Sequence, residues 1–168
     1  MTSEKLDTKY HALLGEARRR GGADVLGMQL CFQLLSLAGG IDRECAARLA
    51  PHGLTEGRFV LLFLLDAAQQ GVAPHVLAQR AGVTRATITT LLDGLQREGL
   101  VLRRADAQDR RALTVHLTAK GKRLALSLVG EHAQWIGQVF GHLSGPEREQ
   151  LAILLAKAAD RSTADDKE

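Results

Sequence analysis

The segment that follows Asp24, "VLGMQLCFQLLSLAGGIDRECAARL", is apolar on nearly every side through Ala38. A helix with that pattern has no polar face to give to water, so it must be buried all round. The chain has 168 residues, enough for one domain with a real core. In a chain this small, the segment is expected to lie under a second subunit as well as its own.

Helical signals dominate the rest. Leu6, Tyr10, Leu13, Leu14 and Ala17 stand at helical spacing over 4–20, and Gly21-Gly22 breaks the pattern. This amphipathic helix is loosely held. Thr55 caps the helix "HGLTEGRFVLLFLLDAAQQG", and Gly71 stops it. A short helix starts at Pro74 and ends at Gly82; another starts after Thr84, buries Ile88, Leu91, Leu92 and Leu95, and stops at Gly99. Thr118 caps a long helix to about 141 carrying Leu124, Leu128, Ile136, Val139 and Phe140. Ser144 and Glu147 form a capping box for a last helix with Leu151, Leu154 and Leu155. The tail "DRSTADDKE" frays.

One region departs from helical periodicity. "LVLRRA" and "ALTVHLT" alternate with period two, and the charged "DAQDRR" joins them as a hairpin. The fold is therefore mainly α with a small β-hairpin. The short helix, turn and second helix before it make a helix-turn-helix over 55–117. Helices 4–50 and 118–160 remain for dimerisation.

Charge is concentrated in the same place. Between Arg80 and Arg123 stand ten Lys/Arg against four acids, a local +6 in a chain of net +3, so the remainder carries −3. A basic surface on a slightly acidic body is what a polyanion-binding face requires. The outward face of the second helix carries Arg85, Thr87, Thr89, Thr90 and Asp93. Short hydroxyl side chains and one Arg near a helix N-terminus suit insertion into a major groove, and the helix dipole there favours a phosphate. A loop beside such a helix projects over the adjacent minor groove, whose narrow walls concentrate negative potential and attract arginine. Asp109 can hold one of Arg110 and Arg111 while the other extends. Arg103 and Arg104 add phosphate contacts at the hairpin base.

At these residues "GVTRATITTLLDGLQREGLVLRRADAQDRRALTVHLTAKG" resembles the winged helix-turn-helix of the multiple-antibiotic-resistance (MarR) family of bacterial regulators. The resemblance covers roughly 24–160. It implies a triangular homodimer built by the terminal helices, a palindromic operator, and a ligand pocket between the dimerisation and DNA-binding parts. Carried onto this chain, the motif makes Arg111 the wing-tip minor-groove residue and Asp109 its orienting partner. Thr84 to Thr90 become the set that reads bases and phosphates. The N-terminal helix goes beyond the minimal family pattern, and dimer reinforcement is its simplest role.

Two sensing readings stay open. "QLCFQLLSLA" is similar to the first-helix segment of the organic-hydroperoxide-sensing branch, which implies a redox role for Cys31. Against it, that branch places tyrosines beside the reactive thiol, whereas the only Tyr here is Tyr10. Leu30, Phe32 and Leu34 are expected to bury Cys31, and apolar burial blunts a thiol. Cys45 lies fourteen residues on, about 21 Å away along an unbroken helix. The other reading is a small aromatic or phenolic acid, a class the family often binds. A cation in an apolar pocket would hold it, and Arg43, His52 and Arg58 stand where the family's pocket opens. Arg58 precedes Phe59 on an otherwise apolar helix, an expensive place for a charge without a partner. Met28 and Trp135 can line the same space or belong to the core.

Other classes find no support. The six His show no i, i+4 pair and no zinc spacing with Cys. No nucleotide loop or nucleophile–base arrangement marks an enzyme, and no cofactor is implied. "MTSEKLDTKYH" lacks the apolar core of a signal peptide, and runs such as "FVLLFLL" are too short to span a bilayer. With two cysteines and no disulfide scaffold, the chain reads as cytoplasmic.

Overall fold

The computed structural model describes residues 8–21, 24–68, 70–105 and 113–162. The order is α1 (Thr8–Arg19), α2 (Val25–Leu49), a 3-10 turn (Ala50–His52), α3 (Glu56–Ala68), α4 (Pro74–Ala81), α5 (Arg85–Arg97), β1 (Val101–Ala105), β2 (Leu113–Leu117), α6 (Ala119–Val139) and α7 (Gly145–Ser162).

Local chemistry sets most boundaries. Thr84 accepts from the Thr87 N–H at 3.1 Å, and Thr118 accepts from the Gly121 N–H at 3.0 Å. Each satisfies a backbone donor that the first helical turn leaves open. Gly82 and Gly99 end α4 and α5 with φ of 64° and 70°, a conformation glycine adopts without strain. The Ser144–Glu147 box forms in one direction: Glu147 accepts from both the Ser144 N–H (2.8 Å) and its hydroxyl (2.7 Å). Those bonds hold the Glu147 carboxyl below its ordinary pKa. Gly71 does not stop α3, which ends at Ala68. Its requirement is space, since a Cβ there would run into the His116 ring on β2.

The core is gathered in the middle of the chain. Phe59, Leu61, Leu62 and Leu65 of α3 meet Leu77 of α4, Ile88, Leu92 and Leu95 of α5, and Leu100, Val101 and Val115 of the hairpin. Ala125, Leu128 and Trp135 of α6 close it from the other side. The strands pair antiparallel, Val101 opposite Leu117 through Ala105 opposite Leu113. Val72 adds a bridge to Val115 with bonds of 3.0 and 2.9 Å, tying the hairpin to the segment before α4.

The terminal helices are different. α1 rests on α2 through buried Leu14 and through Tyr10, stacked on Phe32 with centroids 4.6 Å apart. In α2 only Cys45 and Leu49 are buried, while Leu26, Leu30, Leu34, Leu35 and Leu37 are exposed on the single chain. In α7 Ile153, Leu154 and Leu155 are exposed too. Cys31 is exposed, which corrects the expected burial: Leu30 and Leu34 beside it are themselves exposed. Run length also understated α2. Within the 28 residues Val25–His52, one 18-residue stretch reaches a mean hydropathy of 1.3, long and apolar enough by length and composition alone to cross a bilayer. Gln29, Gln33, Ser36 and the glycines interrupt its apolar run without adding charge.

Candidate nucleic-acid interface

Helix α5 follows α4 across a three-residue turn, Gly82 to Thr84, and with its N-cap presents Thr84–Thr87, Thr89, Thr90 and Asp93 to solvent. The hydroxyls are oriented by the helix itself. Thr89 Oγ1 donates to the Arg85 carbonyl at 3.0 Å, and Thr90 Oγ1 to the Ala86 carbonyl at 3.3 Å. With the protons turned inward, each oxygen offers its free lone pairs outward and each side chain exposes a methyl group. Thr84 and Thr87 hydroxyls lie 2.9 Å apart at the N-terminus, where the dipole favours an anion. Arg85 is the long exposed donor beside them.

The hairpin stands next to this face. Arg103 of β1 pairs with Asp93 of α5 at 2.6 Å, so hairpin and helix are joined across their exposed side. Arg103 thus has a protein partner where sequence reasoning gave it a phosphate. Arg104 is exposed. Asp109, Arg110 and Arg111 lie outside the described residues, between β1 and β2 in the sequence.

The three residues proposed for an effector do not come together. Arg43 lines a cleft of about 730 Å³ between α2 and α6, with Gln33, Leu37, Ile41, Arg48, Trp135, Gln138 and Val139 among its walls. His52 is exposed on the 3-10 turn. Arg58 turns away from the cleft: its Nη1 donates to Glu98 Oε1 at 2.7 Å and to the Gly53 carbonyl at 3.3 Å. The charge beside Phe59 has its partner forty residues on, a pairing no local pattern reveals.

Arg48, which sequence reasoning passed over, supplies the cleft's second cation. It pairs with Glu44 at 2.7 Å and stacks over the Trp135 ring at 5.1 Å. Its i, i+4 spacing from Glu44 was the available signal. Trp135 also meets His132 edge-on at 5.0 Å, and His132 packs on Phe59 at 4.7 Å. Burial lowers the His132 pKa, opposed by Glu56 and reinforced by Arg48. Burial raises the Cys45 pKa, with Glu56 and Asp42 adding to it. Cys31 and Cys45 share the continuous α2 and are both free thiols.

A helix-turn-helix whose second helix is flanked by a two-stranded hairpin defines a winged helix-turn-helix DNA-binding protein. The sequence profile of the MarR family matches residues 54–113. The chain is 32% identical over 154 residues to the HTH-type transcriptional repressor YetL of Bacillus subtilis, covering 91% of this chain and 92% of YetL. It therefore belongs to the MarR family of transcriptional regulators. Solved structures share the fold. S. aureus MepR bound to DNA superposes with TM-score 0.67 at 24% identity, over 77% of this chain and 95% of MepR. The regulator BldR from Sulfolobus solfataricus gives 0.62 at 26%, over 80% and 95%.

Proposed function

We propose that the chain is a cytoplasmic homodimeric repressor that grips a palindromic operator with two copies of α5 and the wing and lets go when a small organic acid binds. The observation that carries this reading is the outward face of α5, Thr84 to Thr90 with Arg85, joined to the hairpin by Asp93 and Arg103. In this reading α5 enters the major groove, Arg111 with Asp109 behind it reaches the minor groove, and Arg104 and Arg110 meet phosphates. Helices α1, α2, α6 and α7 join the two copies, and their exposed leucines support that division. The test is Arg111→Ala against DNA flanking the chain's own gene. Affinity should fall by roughly 1–3 kcal/mol with the fold unchanged. Wild-type affinity in a folded dimer refutes the wing assignment.

For the effector, the α2–α6 cleft is the better seat. Its volume lies in the range of small-molecule pockets, with one apolar wall and two guanidinium groups for a carboxylate. Arg43 keeps its proposed role, Arg48 and Trp135 join it, and Arg58 acts elsewhere. An aromatic acid that binds the DNA-incompetent arrangement more tightly shifts the population away from DNA.

A thiol switch is the second reading, favoured by the exposure of Cys31. Cys45 of the same chain is out of reach along the unbroken helix, about 21 Å at 1.5 Å per residue, so a bridge would form between copies. Peroxide should release DNA from the wild type and not from Cys31→Ser. Equal release from both ends this reading.

A further inference from the structure

We infer that Arg58 is the positioning residue for the recognition helix: it clamps the C-terminal end of α5 to the hinge before α3. The inference rests on the reading that α5 enters the DNA groove. It stands on several contacts at one place. The Arg58 guanidinium bonds the Gly53 carbonyl, in the turn between the dimer half and α3, and Glu98 at the C-cap of α5. It lies against Gly94 of α5, where a Cβ would collide with the guanidinium, so the absence of a side chain at 94 is what admits it. The pair is partly shielded, Arg58 at 23% and Glu98 at 35% side-chain exposure, which limits solvent screening. The start of α6 holds the same end: Lys120 Nζ donates to the Glu98 carbonyl at 2.9 Å and Thr118 Oγ1 to the Gly99 carbonyl at 2.7 Å. Every one of these contacts lies at the helix end away from Thr84.

The leverage follows from length. Thirteen residues of α5 span about 20 Å at 1.5 Å per residue. A tilt of about 5° about the clamped end displaces the N-terminal end by about 1.7 Å, enough to take a hydrogen bond of about 2.9 Å out of range. Arg58 therefore sets how α5 meets DNA without touching DNA, and it ties that setting to the hinge through Gly53.

The experiment is a double-mutant cycle on binding to DNA flanking the gene, over a salt series, with melting temperature and dimer mass for each variant. Arg58→Met and Glu98→Gln should each weaken binding by about tenfold, and the double variant should be no weaker than either single one. The slope of log affinity against log salt should stay at the wild-type value, because no phosphate contact is lost. Arg58→Lys, which keeps the charge, should hold most of the affinity. Should Arg58→Met fail to fold, Glu98→Gln leaves the guanidinium bonded to Gly53 and carries the test. Additive losses, wild-type binding by the folded single variants, or a slope reduced by about one for Arg58→Met overturn the clamp. Arg85→Ala separates the two failures. If it leaves affinity and slope unchanged, α5 is not the reading element and the clamp falls with it. If it weakens binding while the cycle shows no coupling, the clamp alone is wrong.

Discussion

Leu30 offers the sharpest test of how the chain assembles. With Leu26, Leu34 and Leu37 it forms one stripe along α2, and it is 53% exposed on the single chain. Full burial of a leucine side chain is worth about 1.5–3 kcal/mol. Covering the open half contributes roughly 1–1.5 kcal/mol per copy. A two-fold interface repeats the loss, so Leu30→Ala should cost roughly 2–3 kcal/mol of dimer stability, about 30- to 150-fold in the dissociation constant. Alanine is the better helix former, and the removed methyls are mostly open to solvent, so α2 and the single-chain fold should survive. A dilution series by sedimentation velocity reads the constant, and circular dichroism controls for helix content. An unchanged constant with intact helix content would show that the stripe faces something other than a second copy.

Three further outcomes follow from single contacts. Gly121→Ala places a Cβ on the Leu100 carbonyl, a backbone group that cannot swing aside, and should cost about 1–3 kcal/mol, read as a lower melting temperature. His132 binds its proton more weakly folded than at its ordinary value of 6.5, so its stabilising contribution is complete above that pH and is lost as pH falls through 6.5 towards the lower folded value; His132→Phe should flatten the melting curve against pH over that window, and an unflattened curve counts against it. Arg43→Ala should weaken release of DNA by salicylate-like acids with DNA affinity unchanged; equal response in the two proteins moves the effector out of the cleft.

What the sequence makes legible here is what depends on neighbours in the chain. Thr84, Gly99, Thr118 and Ser144–Glu147 mark helix ends because capping is a matter of three or four residues, and each mark coincides with an observed boundary. The hairpin is equally local, since alternation and a charged loop suffice. Contacts across the fold are not legible in this way. Gly71 looks like a helix stop but is a close approach to His116. Arg58 looks like a lone cation seeking a ligand, and it is half of a pair with Glu98. Cys31 looks buried because its neighbours are apolar, but a stripe with nothing yet against it exposes thiol and leucines alike.

Under the proposed function, the α2–α6 cleft would have to communicate with α5. The cleft is walled by α2 and α6, the helices proposed for the dimer, and α5 is not among its walls. A continuous stack runs between them: Arg48 over Trp135, Trp135 against His132, His132 against Phe59. Phe59 is the chain neighbour of Arg58, which holds α5. An acid that drew Arg48 off Trp135 would disturb the packing next to the residue that sets the angle of α5. Adjacency alone is not coupling, which requires an element with two arrangements that both sites bias. The turn at Gly53 is the place to look for such an element: its φ of 67° lies in the left-handed region that favours glycine, and its carbonyl is held by the same guanidinium that holds Glu98.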